Sequence, residues 1–161
     1  MASAMVYGVL HDQVTARVCV EYFTIGHPPI FSTEDPTNLA FGWGIFASWW
    51  VGLLLGIPFA FACRLGSFPR ISARWIVRPV VSLLLTMGIG SLLAGTIGYW
   101  TAEAGGVWLL EPLRSRVPVE KHAFFLADLW AHLAAYGFGI VGGIGLCGWV
   151  FYKRCLLART E

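Results

Sequence analysis

The chain has 161 residues, of which 57% are hydrophobic and only 12% are charged. Soluble domains carry about 25% charged residues, so this composition excludes an ordinary soluble protein. The formal net charge of +2 is too small to indicate nucleic-acid binding. The partner that the composition predicts is therefore the lipid bilayer.

The N-terminal region, residues 4–25, predicts a helix that is too short and too polar to count as an ordinary span. Its apolar residues recur every four positions and form one stripe, and the tandem prolines Pro28 and Pro29 end it. The alternation between Val14 and Val20 also fits a short strand. The stripe consists of Val6, Leu10, Val14, Val18 and Tyr22.

Three later stretches lack charged side chains and predict transmembrane helices. They run over residues 36–63, 79–102 and 133–152 and are 28, 24 and 20 residues long. A bilayer core of about 30 Å needs roughly 20 helical residues, and a backbone in lipid must satisfy its own hydrogen bonds. With their flanking residues, the predicted spans cover about 39–63, 79–100 and 122–152. The predicted fold class is an all-α integral membrane protein: one membrane domain over residues 1–161, a small bundle of three full transmembrane helices plus an N-terminal short or partial helix.

Aromatic and small residues indicate how the spans pack. Trp43 near the start of the first span fits an interfacial position, whereas Trp49 and Trp50 lie deeper and are expected between helices. Glycines recur in the last two spans, and Gly139 and Gly143 have the spacing of a close helix contact. Such faces suit packing within the chain, self-association or contact with other membrane subunits.

Basic residues predict the orientation. The connection 64–78 has four arginines and no acid, and the tail after Tyr152 contains Lys153, Arg154 and Arg159. Two spans separate these segments, so both lie on one side, and an excess of Lys and Arg marks the cytoplasmic side. This orientation puts the C-terminus in the cytoplasm and the N-terminal helix and the connection 101–121 at the outer face.

Ionisable side chains collect near that outer face. Asp128, His132 and Tyr136 share one face of the last helix because they are spaced by four residues. His132 lies about 30 Å from Tyr152 at the inner end, at 1.5 Å per residue. The N-terminal helix brings further histidine and carboxylate side chains to the same side.

These side chains predict a metal site formed by His11, Asp12, Glu21, Asp128 and His132. Histidines and carboxylates from two helices are the ligand set of zinc, iron or manganese in helical bundles. In this interpretation Asp12 orients an imidazole. A competing interpretation treats the polar residues as interfacial anchors, with Asp128 and His132 as an ion pair and Glu21 paired with Arg17.

Several short sequence motifs together resemble those of a known group of proteins. Tyr7-Gly8-x-x-His11-Asp12-Gln13 is followed by Glu21-Tyr22-Phe23-Thr24, then by Trp49-Trp50 and by Ala131-His132 with Tyr136 one turn on. This order resembles a group of uncharacterised bacterial inner-membrane proteins and covers most of the chain. The resemblance implies no activity, but it marks His11, Asp12, Glu21 and His132 as candidate functional positions.

The leading hypothesis from the sequence is therefore a small inner-membrane protein with an outer-facing His/carboxylate site that binds a divalent metal. The alternative is a non-enzymatic packing subunit or assembly factor of a larger membrane complex. Haem binding by two histidines stays open. Ion-coupled transport is disfavoured because the spans have almost no ionisable residue below His132. An enzymatic role is left undecided.

Overall fold

The computed structural model describes residues 1–159, which are helical and contain no strand. A short 3-10 turn, Val119–Lys121, precedes the last helix. The α-helices are α1 Ala2–Val18, α2 Val20–Thr24, α3 Pro36–Phe46, α4 Trp49–Arg64, α5 Ala73–Glu103, α6 Leu113–Arg116 and α7 His122–Leu157.

Three helical segments are long and apolar enough to cross a membrane: Pro36–Arg64, Ala73–Glu103 and Val119–Leu157. They contain 29, 31 and 39 residues and have mean hydropathies of 1.9, 2.0 and 1.6. The predicted fold class, three spans plus an N-terminal helix, is confirmed. α7 is the central element, because α5 and α4 both pack along it.

The first span begins at a defined cap and is interrupted once. The Asp35 carboxylate accepts a hydrogen bond of 2.8 Å from the backbone N–H of Asn38, and Pro36 occupies the first turn, where its missing donor is not needed. Residues Ala47 and Ser48 form a turn between α3 and α4. The first span was predicted to be continuous, so this interruption is a new feature.

α1 packs antiparallel against α3 through two glycines. A Cβ atom on Gly44 would lie 2.6 Å from the backbone N of Val9, and one on Gly8 would collide with Gly44 and Ser48. Only glycine permits this approach. Near the C-terminal end of α1, Arg17 donates a hydrogen bond of 2.8 Å to the Thr37 hydroxyl, so the close packing extends over most of α1.

The predicted N-terminal helix over 4–25 is divided at Cys19, whose extended backbone (φ −149°, ψ 96°) separates α1 from α2. The apolar stripe on α1 faces outwards: Val6, Leu10 and Val14 are about 60% exposed. The polar face turns inwards, which is the arrangement expected where the surroundings are lipid rather than water.

The tryptophans of the first span differ in burial. Trp43 is buried and packs against the rings of His27 and Phe31. Trp49 and Trp50 are exposed on the outside of the bundle. The expectation that Trp49 and Trp50 lie between helices was wrong, because span position alone does not reveal which side of the helix faces its neighbours.

The two basic segments lie at the same end of the bundle, as the span count predicted. Arg154 of α7 is buried and donates hydrogen bonds of 2.8, 2.8 and 2.9 Å to the carbonyls of Pro69, Ala62 and Phe68. It therefore fixes the connection between α4 and α5 to the end of α7. At the opposite end, Lys121 lies 3.8 Å from Glu21.

Candidate metal centre

Three helices converge on one polar cluster inside the bundle. α1 supplies His11 and Asp12, α7 supplies His132, and α5 supplies Ser91. One ligand atom each from His11, Asp12 and His132 lies within 4.8 Å of the others. These side chains are 13% exposed or less, so the protein rather than solvent determines their partners.

Asp12 lies between the two imidazoles. Its Oδ1 atom is 3.1 Å from Nδ1 of His11 and 3.3 Å from Nε2 of His132. Ligand atoms held 2.0–2.2 Å from a tetrahedral ion are about 3.3–3.6 Å apart. The two observed separations are therefore close to those of a metal-ligand set.

The other nitrogen of His132 has a fixed partner. Nδ1 is 2.7 Å from the backbone carbonyl of Asp128, one turn earlier on α7. A carbonyl oxygen can only accept, so Nδ1 must carry the hydrogen. In a neutral imidazole Nε2 then has a free lone pair, and this lone pair faces Asp12.

The other nitrogen of His11 is fixed in the same way. Ser91 donates its single hydroxyl hydrogen to the carbonyl of Ala131, 2.6 Å away. Its oxygen is therefore the acceptor for His11 Nε2, at 2.8 Å, and Nε2 carries a hydrogen. The neutral ring directs the lone pair of Nδ1 at Asp12.

The hydrogen-bond arrangement thus points two imidazole lone pairs and a carboxylate oxygen at one another. A proton on Asp12 would satisfy only one of the two contacts. Protonating both rings would place two buried cations beside one anion, which is costly in a low-dielectric interior. A single divalent cation satisfies all three atoms, and imidazoles whose other N–H is hydrogen-bonded are typical metal ligands.

An aromatic wall covers one side of the cluster. The Tyr22 ring stacks on His132 at a centroid distance of 4.5 Å, and His27 lies 4.9 Å from Tyr22 and 4.6 Å from Trp43. Burial lowers the pKa of His27 and outweighs its hydrogen bond to the Tyr22 carbonyl, which acts in the opposite direction. His27 is therefore neutral at pH 7, with Nδ1–H donated to that carbonyl at 2.8 Å.

Of the five residues proposed as a metal site from the sequence, the structure brings together His11, Asp12 and His132 and leaves two outside. Glu21 pairs with Lys121 and accepts a hydrogen bond from Cys19 Sγ at 3.4 Å. The Asp128 side chain is buried, and its Oδ2 has no hydrogen-bond partner among residues 1–159. Asp128 positions His132 through its backbone carbonyl rather than through its carboxylate.

Two residues of the site were not singled out for it from the sequence. Ser91 escaped notice as a site residue because nothing in α5 marks it as the partner of a histidine 80 positions earlier. Tyr7 is one helical turn before His11, a spacing that places both on one face. Its hydroxyl is buried without a hydrogen-bond partner in the described part of the chain.

Comparisons of this chain with protein-family models, with curated proteins and with solved structures gave no match.

Proposed function

We propose that this protein is a small multi-span protein of the bacterial inner membrane whose His11–Asp12–His132 cluster binds a divalent metal ion near the outer face. The observation that carries the proposal is the pair of imidazole lone pairs directed at Asp12 Oδ1, at 3.1 and 3.3 Å. Both rings are fixed in this orientation by hydrogen bonds on their other nitrogens.

The ligand chemistry favours zinc, iron or manganese. Imidazole nitrogen suits zinc and iron, and a carboxylate is compatible with all three metals. Three protein ligands leave at least one coordination position for water or another molecule, as in metal sites that act on a ligand rather than only stabilising a fold. The metal would join α1 to α7 and so hold the N-terminal helix against the bundle.

The proposed orientation follows from the basic segments. Arg64, Arg70 and Arg74 lie in or beside the connection after α4, at the same end of the bundle as Arg154. Because Lys and Arg concentrate on the cytoplasmic side, the metal cluster belongs to the outer half of the membrane. His132 is 22 residues from Arg154 along α7, or about 33 Å at 1.5 Å per residue.

The test is the metal content of the full chain purified in mild detergent without added metal or chelator. We expect about one divalent ion per chain in the wild type, because the cluster offers one set of three ligands. His132→Ala removes a ligand and should lose the ion. His122→Ala is the matched control, since His122 lies on the same helix but bonds to the Val117 carbonyl.

Elution volume and circular dichroism establish that each variant is folded before its metal is measured. A stoichiometric ion that survives His132→Ala would overturn the proposal. So would a wild-type protein that binds no zinc, iron or manganese when equilibrated with each metal in turn.

A further inference from the structure

A long cavity begins at the His11–Asp12–His132 cluster and runs towards the end of the bundle at which Arg154 lies. Its volume is about 510 Å³, and its lining extends from His11, Asp12 and His132 down to Leu146. The 14 residues of α7 between His132 and Leu146 correspond to a length of about 21 Å. The cavity is therefore longer than one leaflet of the hydrocarbon core, which is about 15 Å thick.

The two ends of the cavity differ in chemistry. The outer end has the cluster, the unpartnered hydroxyl of Tyr7 and the neutral imidazole of His27. Below the cluster, aliphatic and aromatic side chains dominate the walls. These apolar side chains include those of Leu55, Phe59, Val80, Leu84, Met87 and Leu146.

The helix packing leaves the cavity a side entrance from the bilayer. α4 and α5 each pack along α7 but make few contacts with each other, and α1 packs on α3 and α4 rather than along α5. The gap between these helices lies within the spans, at the depth of lipid hydrocarbon. A hydrocarbon chain can enter there without crossing water.

From this polarity and position we propose that the cavity binds a membrane phospholipid, with its phosphate at the metal and one acyl chain in the apolar part. The proposal rests on the proposed function, because the metal supplies the positive charge. A divalent ion beside one carboxylate leaves a net charge of about +1 facing an anionic phosphate. The open coordination position would take a phosphate oxygen, and the Tyr7 hydroxyl lies in the same cavity to donate a hydrogen bond.

The test uses a substitution that fills the apolar part of the cavity and leaves the cluster intact. A Cβ atom on Gly56 would meet only the Met1 N atom, at 3.8 Å, so Gly56→Leu places its side chain in the cavity without colliding with a helix backbone. Gly145→Leu is the matched control, because Gly145 is exposed in α7 and a Cβ there meets nothing within 4 Å.

Each protein is reconstituted into vesicles of phosphatidylethanolamine and phosphatidylglycerol that contain a phosphatidylglycerol with a photoactivatable diazirine in one acyl chain. After irradiation, peptide mass spectrometry locates the labelled residues. We expect label on cavity-lining Leu84 and Met87, and a decrease of about tenfold or more in Gly56→Leu, because an overpacked site excludes the chain. Label on outward-facing Leu92, which is 68% exposed, provides the reference and should not change.

Metal analysis of the same samples separates the two proposals. Bound metal without label at Leu84 and Met87 would overturn the lipid proposal alone. Cavity label that Gly56→Leu reduces, in a protein without metal, would overturn the proposed function and with it the phosphate–metal contact. Equal cavity label in the wild type and Gly56→Leu, or a chain-to-chain crosslink across the cavity, would also overturn lipid occupancy.

Discussion

The two ends of the bundle both bury ionisable groups, but they satisfy them differently. At the end formed by the connection between α4 and α5, Arg154 directs its N–H groups at three backbone carbonyls, each within 2.9 Å. In the opposite half of the bundle, His11 and His132 direct lone pairs at the carboxylate of Asp12. The first arrangement is complete within the protein, whereas the second leaves acceptor atoms facing one another.

This difference separates a structural polar group from a candidate site. Buried polar groups in native proteins almost always have hydrogen-bond partners, so a set of acceptors facing one another requires an explanation. Burial alone does not distinguish the two ends, since Arg154 and Asp12 are both buried. The distinction comes from counting hydrogens on each nitrogen and oxygen.

The largest effect on stability is expected at the end of the bundle where Arg154 lies. Arg154→Ala leaves the carbonyls of Ala62, Phe68 and Pro69 without their donor and frees the connection between α4 and α5 from α7. We expect a loss of about 2–3 kcal/mol in the free energy of unfolding, since each unsatisfied buried group costs about 1–3 kcal/mol and water can reach part of this end. Thermal unfolding in detergent measures the loss.

The matched control is Arg74→Ala, which removes an exposed arginine from the same end of the bundle and should change stability by no more than about 0.5 kcal/mol. Arg154→Lys should recover only part of the loss, because an ammonium group lacks the planar set of donors. Its folded fraction should keep the wild-type metal content. Metal loss in folded Arg154→Lys would show that the two ends are coupled.

A smaller effect is expected from Ser91, which supports the cluster without being a ligand. Ser91→Ala removes the acceptor of His11 Nε2–H and nearly conserves the volume of the side chain. We expect metal affinity to fall by about 10–100-fold, as for other groups that orient a ligand imidazole. Competition with a chromogenic chelator measures the affinity, and exposed Ser82→Ala on the same helix is the control. Unchanged affinity in Ser91→Ala would contradict the assigned role of this hydroxyl.

Sequence patterns predicted the spans because lipid imposes a simple requirement on length and charge. They also placed the basic segments at one end, which the bonds from Arg154 to Pro69 and Phe68 confirm. The turn at Ala47 and Ser48 was not predictable in this way, since neither proline nor glycine occupies those two positions. The break at Cys19 likewise lacks a local signal and fits the packing of Tyr22 and Phe23 against the rest of the bundle.

The cluster was only partly predictable. The separation of apolar from polar residues on α1 and the position of His132 along α7 followed from periodicity and helix length. Which carboxylate meets which imidazole depends on the rotation of α1 about its axis, and the close contact of Gly8 with Gly44 determines that rotation. The partnership of His11 with Ser91 joins residues on helices far apart in the chain, and one sequence does not reveal such pairs.

The smallest effect is expected at Glu21, which the sequence analysis included in the metal site. In the structure its carboxylate is 3.8 Å from Lys121 Nζ, and the lysine side chain is 39% exposed. Such partly solvated pairs contribute about 0–1 kcal/mol, so Glu21→Gln should shift stability by less than about 0.5 kcal/mol and leave the metal content unchanged. Lys121→Met should have a similarly small effect, and the double variant should show little coupling energy. Loss of the ion in Glu21→Gln would instead make Glu21 a ligand, and α2 would then have to rotate its carboxylate away from Lys121 and into the cluster.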